Sequence, residues 1–152
     1  MNAVTELKPT RLLIAAMGGE GGGVLAGWLT EAALKAGLWV QRTSVPGVAQ
    51  RTGATTYYLE FLPRTDDRRP VMGLHPTPGQ VDVLVATELL EAMRMVQAGF
   101  VTPDRTRLLA STHRAYTVDE KSAMADGRLD PAPMIEICRD FSQTSLVRDL
   151  SK

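Results

Sequence analysis

Apolar residues recur along this chain in two rhythms, short unbroken runs and longer stretches with helical spacing. Arg11-Leu-Leu-Ile-Ala-Ala16 is an apolar run that stops at glycines. Its lack of alternation predicts a buried strand in a parallel sheet covered on both faces. Met17-Gly-Gly-Glu-Gly-Gly-Gly23 follows as a tight loop. From there to Ala36, the residues Leu25, Trp28, Leu29, Ala32, Ala33 and Ala36 keep the spacing of an amphipathic helix, and Gly37 is placed to end it.

Leu38–Val45 predicts a second strand, and Pro46-Gly47 suits the middle of a type II turn. Ala54–Leu62 carries Thr55, Thr56, Tyr57, Tyr58 and Phe61, a β-favouring set, and predicts a third strand. Four prolines, two glycines and a cluster of charges make Pro63–Gln80 a surface excursion. Val81–Ala86 is another buried-type strand. Glu88–Ala98 is helical, with Leu89, Ala92, Met93 and Val96 on one face. Arg107–Ser111 is the last strand that the pattern supports; Val118–Ala125 and Pro133–Phe141 read as helices, and the tail after Ser142 has no clear pattern. Strand, helix, strand, repeated, is the signature of a Rossmann-like α/β domain: a mostly parallel sheet with helices on both faces.

At 152 residues the chain reads as one domain, residues 11–152, behind an N-terminal tail of residues 1–10. Seventeen basic residues balance seventeen acidic ones, so no global field favours nucleic acid or an anionic membrane. Residues 1–9 lack the basic start and apolar stretch of a signal peptide, and no run is long enough to span a bilayer. A cytoplasmic protein is the expectation. Cys138 is the one cysteine, and a single thiol holds neither a Cys₄ cluster nor a structural zinc. It reads as a small buried hydrophobe.

A glycine-rich turn between a first strand and its helix is the usual seat of a phosphate, because the helix N-terminus offers free N–H groups and a positive dipole end. The nearest match to the dinucleotide pattern G-x-G-x-x-G is Ala16-Met-Gly18-Gly-Glu-Gly21, with alanine in the first glycine position. Glu20 puts a carboxylate where a pyrophosphate would lie. The second strand ends in Gln41, Arg42, Thr43 and Ser44, with no acid for a ribose hydroxyl, although Arg42 suits a 2′-phosphate. The plainer reading is that the glycines let the helix pack tightly, with Glu20 satisfying the helix N-terminus. Three consecutive glycines at 21–23 point to close approach by a ligand, a partner chain or the protein's own strands.

Ser44–Gly53 is the second informative loop. Loops leaving the carboxyl ends of neighbouring parallel strands lie side by side. This loop and the first are therefore expected on one rim, where Gln50 and Arg51 form a contact surface for an anionic ligand or a partner's cofactor, or else a solvated turn. His75 and His113 have no carboxylate or cysteine at ligand spacing, and Ser44, Ser111 and Ser122 lack a nucleophile elbow. No metal ligand and no catalytic residue is assigned.

Three segments carry a resemblance. Ile14–Leu29, with Gly18-Gly-Glu-Gly21, resembles the opening G-x-G-G-Q-G strand–loop–helix of the gamma subunit or domain of 2-oxoacid:ferredoxin oxidoreductases. Gly47-Val-Ala-Gln-Arg-Thr-Gly53 resembles that family's G-M-A-Q-R-G-G segment. Asp82-Val-Leu-Val-Ala-Thr-Glu88 is similar to its A-D-V-L-L-A-x-E step. The departures are Ala16 for glycine, Glu20 for glutamine and Thr52 for glycine. Gly22, Gly23 and the Val-Pro-Gly before Val48 look most similar to the beta subunit of indolepyruvate ferredoxin oxidoreductases. The match runs from about Arg11 to Arg94 and thins after about residue 112.

The resemblance implies a subunit that is inactive alone, within a complex that oxidatively decarboxylates a 2-oxoacid to an acyl-CoA and passes electrons to ferredoxin. Thiamine diphosphate and iron–sulfur clusters are implied for partner subunits, and coenzyme A for the assembled complex; no cofactor is expected on this chain alone. The family module normally runs longer, so the chain reads as a fragment or as a shortened version without the last strand and helix. The residues implied at a cofactor-facing surface are Gly18, Gly19, Glu20, Gly21, Gly47, Gln50, Arg51 and Gly53. Two rival readings remain: a stand-alone nucleotide-binding domain using the first loop, and a ligand-free structural adaptor.

Overall fold

The computed structural model describes residues 8–46, 54–66, 68–124 and 126–150. Ten elements follow in order: β1 (Thr10–Met17), α1 (Gly22–Lys35), β2 (Leu38–Pro46), β3 (Ala54–Pro63), β4 (Val83–Ala86), α2 (Leu89–Gln97), β5 (Arg107–Ser111), α3 (Val118–Ser122), α4 (Pro131–Asp140) and β6 (Thr144–Arg148). They build one six-stranded sheet in the order β2-β3-β1-β4-β5-β6. β1, β4, β5 and β6 are parallel neighbours, whereas β3 runs antiparallel between β1 and β2.

The apolar run of β1 explains its central place. Leu13, Ile14, Ala15 and Ala16 are all at most 1 % exposed. Alternation sends Leu13 to one face, where it packs with Leu84, Leu89, Ala92, Leu108 and Cys138 under α2 and α4. Ile14 and Ala16 go to the other face, with Ala26 of α1 and Leu59 of β3. Each fully buried Leu or Ile here contributes about 1.5–3 kcal/mol. Helices therefore cover both faces, α1 on one and α2 with α4 on the other. Cys138 is fully buried, 4.0 Å from the Met93 sulfur, and burial pushes its thiol up to about 11.

Two expectations change. β2 does not lie beside β1; β3 inserts between them, because the chain turns back after β2 and pairs antiparallel on both sides. The tail after Ser142 contains a sixth strand, β6, parallel to β5 along the sheet edge. The helix ends follow local capping chemistry. Thr117 and Glu120 close a capping box on α3, and α4 begins at Pro131 behind Asp130, whose side chain accepts from the Ala132 N–H.

The excursion from 63 to 80 is tied down by Glu60. Its carboxylate accepts from Tyr58 Oη at 2.5 Å, Arg11 Nε at 3.1 Å and the Gly73 N–H at 2.7 Å. Burial alone raises this carboxyl, but the three hydrogen bonds outweigh burial and hold it below its ordinary 4.5.

Candidate functional site

β1 and β4 are parallel neighbours whose connections leave in opposite directions, β1 toward β2 and β4 toward β5. In open α/β sheets such a switch opens a crevice beyond the strands' carboxyl ends. Here the crevice is a cleft of about 410 Å³ lined by Glu20, Leu25, Val85, Ala86, Thr87, Ser111, His113 and Leu150. β1 delivers Glu20, β4 delivers Thr87, and β5 delivers Ser111 and His113. Leu25, Val85 and Leu150 supply apolar walls.

The glycines of the first loop divide into two kinds. Gly19 and Gly21 have φ of 90° and 77°, and a Cβ on either would meet nothing within 4 Å; they serve the turn. At Gly22 a Cβ would lie 2.6 Å from the Ala16 Cβ and 2.9 Å from the Tyr57 ring, so the helix sits directly on the sheet there. Gly23 would meet the Tyr57 hydroxyl at 3.1 Å. Of the three candidates for close approach at residues 22–23, the protein's own strands are what the backbone meets.

Glu20 does not cap α1, as the plainer reading expected. The N-cap is Gly21, with no side-chain hydrogen bond. Glu20 reaches across the rim instead: its Oε2 accepts from the Met17 N–H at 3.1 Å and from the Thr87 hydroxyl. Its Oε1 faces His113 Nε2 at 3.9 Å. The carboxylate is thus anchored by one oxygen and turned into the cleft by the other, beside a helix start whose first N–H groups have no intrahelical partner.

Glu88 sets the position of His113. This residue, 1 % exposed, caps α2 by accepting from the Glu91 N–H at 2.9 Å. Its second oxygen accepts from the Ala115 N–H at 2.9 Å, while the Leu89 N–H donates to the His113 carbonyl. Burial raises the neighbouring Glu91 carboxyl; Arg94 at 2.6 Å counters this, and the charges of Glu88 and Glu20 add to it. At the foot of the same segment, Asp82 accepts from the Arg11 N–H at 2.7 Å and pairs with Arg105 at 2.8 Å. The acids of Asp82–Glu88 are thus held by the fold itself.

Of the expected site residues, Gly18, Gly19, Glu20 and Gly21 stand at this rim, and Glu20 lines the cleft. Gly47, Gln50, Arg51 and Gly53 lie outside the described residues. The residues flanking that segment are informative: Ala54 pairs with Met17, and Pro46 pairs with Thr55, both at the rim end of β1. Sequence reasoning missed Thr87, Ser111 and His113 as a group. Each stands at or just past the carboxyl end of an apolar parallel strand, which was the available signal. Among the described residues no three His, Cys, Asp or Glu side chains group as metal ligands, and no helix is long and apolar enough to cross a membrane.

Fold and cleft together define an open-sheet α/β module with a ligand-type crevice at its switch point. Residues 11–148 match the family of pyruvate ferredoxin/flavodoxin oxidoreductases, and the chain belongs to that family. It is 36 % identical over 90 residues to indolepyruvate oxidoreductase subunit IorB of Pyrococcus horikoshii, covering 59 % of this chain and 42 % of that protein. The fold resembles the pyruvate oxidoreductase subunit PORC of Thermotoga maritima, with a TM-score of 0.54 and 19 % identity over 92 % of this chain and 61 % of that one. It also resembles a 2-oxoglutarate:ferredoxin oxidoreductase of Magnetococcus marinus, solved with 2-oxoglutarate, coenzyme A and succinyl-CoA bound. That TM-score is 0.53 with 14 % identity, covering 92 % of this chain and 19 % of that one. The chain thus spans less than half of the curated relative it matches and under two thirds of the solved PORC subunit.

Proposed function

We propose that this chain is a gamma-type module of a 2-oxoacid:ferredoxin oxidoreductase and that its rim cleft borders the path of coenzyme A. The substrate proposed is an aryl-pyruvate of the indolepyruvate kind, in line with the similarity to IorB. Thiamine diphosphate and iron–sulfur clusters are supplied by partner subunits, and ferredoxin accepts electrons through the complex in the cytoplasm. The single observation carrying this reading is the switch-point cleft, in a chain that matches the family almost end to end.

The lining favours one part of coenzyme A over the other. A pyrophosphate would face the Glu20 carboxylate and is disfavoured. The pantetheine arm instead offers amide N–H groups, a hydroxyl and a thiol on an aliphatic stem. Glu20 Oε1 supplies an acceptor, Ser111, whose Oγ already accepts from the His113 and Leu150 N–H groups, keeps its O–H to donate, His113 and Thr87 add polar contacts, and Leu25, Val85 and Leu150 cover the stem. Coenzyme A, when bound, supplies the thiol that receives the acyl group; this chain's residues hold and orient the arm.

The test is to assemble the chain with its thiamine- and cluster-bearing subunits and compare Glu20→Gln and His113→Ala with wild type. The KM for coenzyme A rises about tenfold, consistent with losing one charge-assisted hydrogen bond, while the KM for the 2-oxoacid holds. Unchanged coenzyme A kinetics in both variants would overturn the reading. Micromolar nicotinamide or flavin binding to the chain alone, lost on Gly21→Val, would favour the stand-alone nucleotide domain instead.

A further inference from the structure

The arm that the cleft is proposed to hold ends in a thiol, and a free thiol at about pH 7 is only a few per cent ionised. The thiolate is the form that reacts. A base beside the sulfur therefore decides how fast the acyl group is taken up. The sequence has two histidines: His75 lies on the excursion from 63 to 80, and His113 stands in the cleft wall.

The polar groups around His113 are already committed. Thr87 donates its hydroxyl to Glu20 Oε2, which also takes the Met17 N–H. Ser111 Oγ accepts from the His113 and Leu150 N–H groups at 3.2 and 3.4 Å. Glu20 Oε1 is left facing His113 Nε2 at 3.9 Å. A fixed carboxylate turned toward an imidazole orients the ring and offsets the charge that the ring gains on taking a proton. The main chain of His113 is tied at both ends, its N–H to Ser111 Oγ and its carbonyl to the Leu89 N–H. With Nε2 directed at Glu20, Nδ1 keeps its lone pair free of any hydrogen bond among the described residues.

We propose that His113 Nδ1 takes the thiol proton of coenzyme A, with Glu20 as the positioning residue; this rests on the reading that the cleft receives the pantetheine arm. The S–H bond breaks, its electron pair stays on sulfur, and the proton passes to Nδ1. The carboxylate that disfavours the diphosphate thereby favours the sulfur end of the arm. Half of the His113 side chain is open, and it also lines an adjoining cavity of about 590 Å³, so the proton has a way out to solvent. The other charges on the surrounding elements are paired or set apart. Glu88 on α2 holds the Glu91 and Ala115 N–H groups, and Glu91 pairs with Arg94. Arg114 is turned to Glu120 and the Leu129 carbonyl. Across the adjoining cavity Arg128 pairs with Asp126, Asp130 caps α4, and Tyr116 lies against both arginines. On the β6 side, Arg148 stands opposite Ser111 and Asp149 follows it.

The experiment uses the assembled complex carrying His113→Gln, a change that leaves the main-chain ties in place. At about pH 7 its kcat/KM for coenzyme A falls about thirtyfold, the reciprocal of the free thiolate fraction. The gap to wild type closes as pH rises through about 8.5, where the thiol ionises unaided. Calorimetry gives a second readout. Wild type binds coenzyme A about tenfold more tightly than desulfo-coenzyme A, because thiolate and imidazolium pair, and His113→Gln binds the two alike. A defect of equal size from about pH 7 to about pH 9 makes His113 a contact only; it overturns the inference and leaves the coenzyme A reading standing. A pH-dependent loss in Glu20→Gln but not in His113→Gln moves the base to Glu20 and also overturns it. Coenzyme A kinetics and affinity unaltered at every pH in both variants remove both readings.

Discussion

Glu60 and Glu20 sit at opposite ends of the same central strands and show how a fold spends one carboxylate and leaves another available. Glu60 is 4 % exposed and takes hydrogen bonds from Tyr58, Arg11 and Gly73. Glu20 takes two bonds on one oxygen and turns the other toward His113, with a quarter of its side chain open to solvent. Both are acids on the rim of a sheet, yet the first is a structural tie and the second keeps bonding capacity for a ligand. The difference lies in the number of unspent lone pairs, not in burial alone.

The comparison breaks first at Glu60. Glu60→Ala leaves the Tyr58 hydroxyl and the Gly73 N–H without an acceptor, and urea unfolding should show a loss of about 3 kcal/mol. Acid makes the same point by sign. A carboxyl held below 4.5 in the fold contributes stability above that pH and loses it as pH falls through the lowered folded value. Between about pH 4.5 and the acid limit, wild-type stability should therefore fall more steeply than that of Glu60→Gln; parallel curves would remove Glu60 from the account.

Next in size is Glu88→Ala, which uncaps α2 and frees the Ala115 N–H, for about 2 kcal/mol by the same measurement. Gly22→Ala drives a methyl against Ala16 and Tyr57 and should cost about 1–2 kcal/mol, whereas Gly22 acting only as a phosphate cradle would leave stability unchanged. Smallest is Glu20→Gln. It should change unfolding by less than about 1 kcal/mol while altering the response to coenzyme A in the complex. A stability loss at Glu20 as large as at Glu60 would erase the contrast.

How much of this was legible in the chain depends on the kind of signal each element carries. β1 announces itself because a strand buried on both faces needs an unbroken apolar run, as Leu13–Ala16 shows, while β4 and β5 are shorter apolar runs that bury Leu84, Ala86, Leu108 and Ala110 fully on one face. β6 does not, since an edge strand with one neighbour is mostly exposed, and Thr144-Ser-Leu-Val-Arg148 has no periodic burial to report. The direction of β3 is equally silent, because hydrophobicity encodes depth and not polarity of pairing. The start of α4 was written in Asp130-Pro131, a cap followed by proline, which apolar spacing alone placed two residues late. At the site, Glu20 stood out within its glycines. Thr87, Ser111 and His113 became neighbours only through parallel register, which no local pattern records.

The double grip of Glu88 has a consequence for how such a module can diversify. It holds the segment after β5 through main-chain atoms, the Ala115 N–H and, beside it, the His113 carbonyl bound by Leu89. Main-chain anchors are blind to what hangs from them. The stretch from 112 to 116 is in effect a socket, able to present a different side chain to the cleft without a new scaffold, so chemistry here is free to drift while the seat stays fixed.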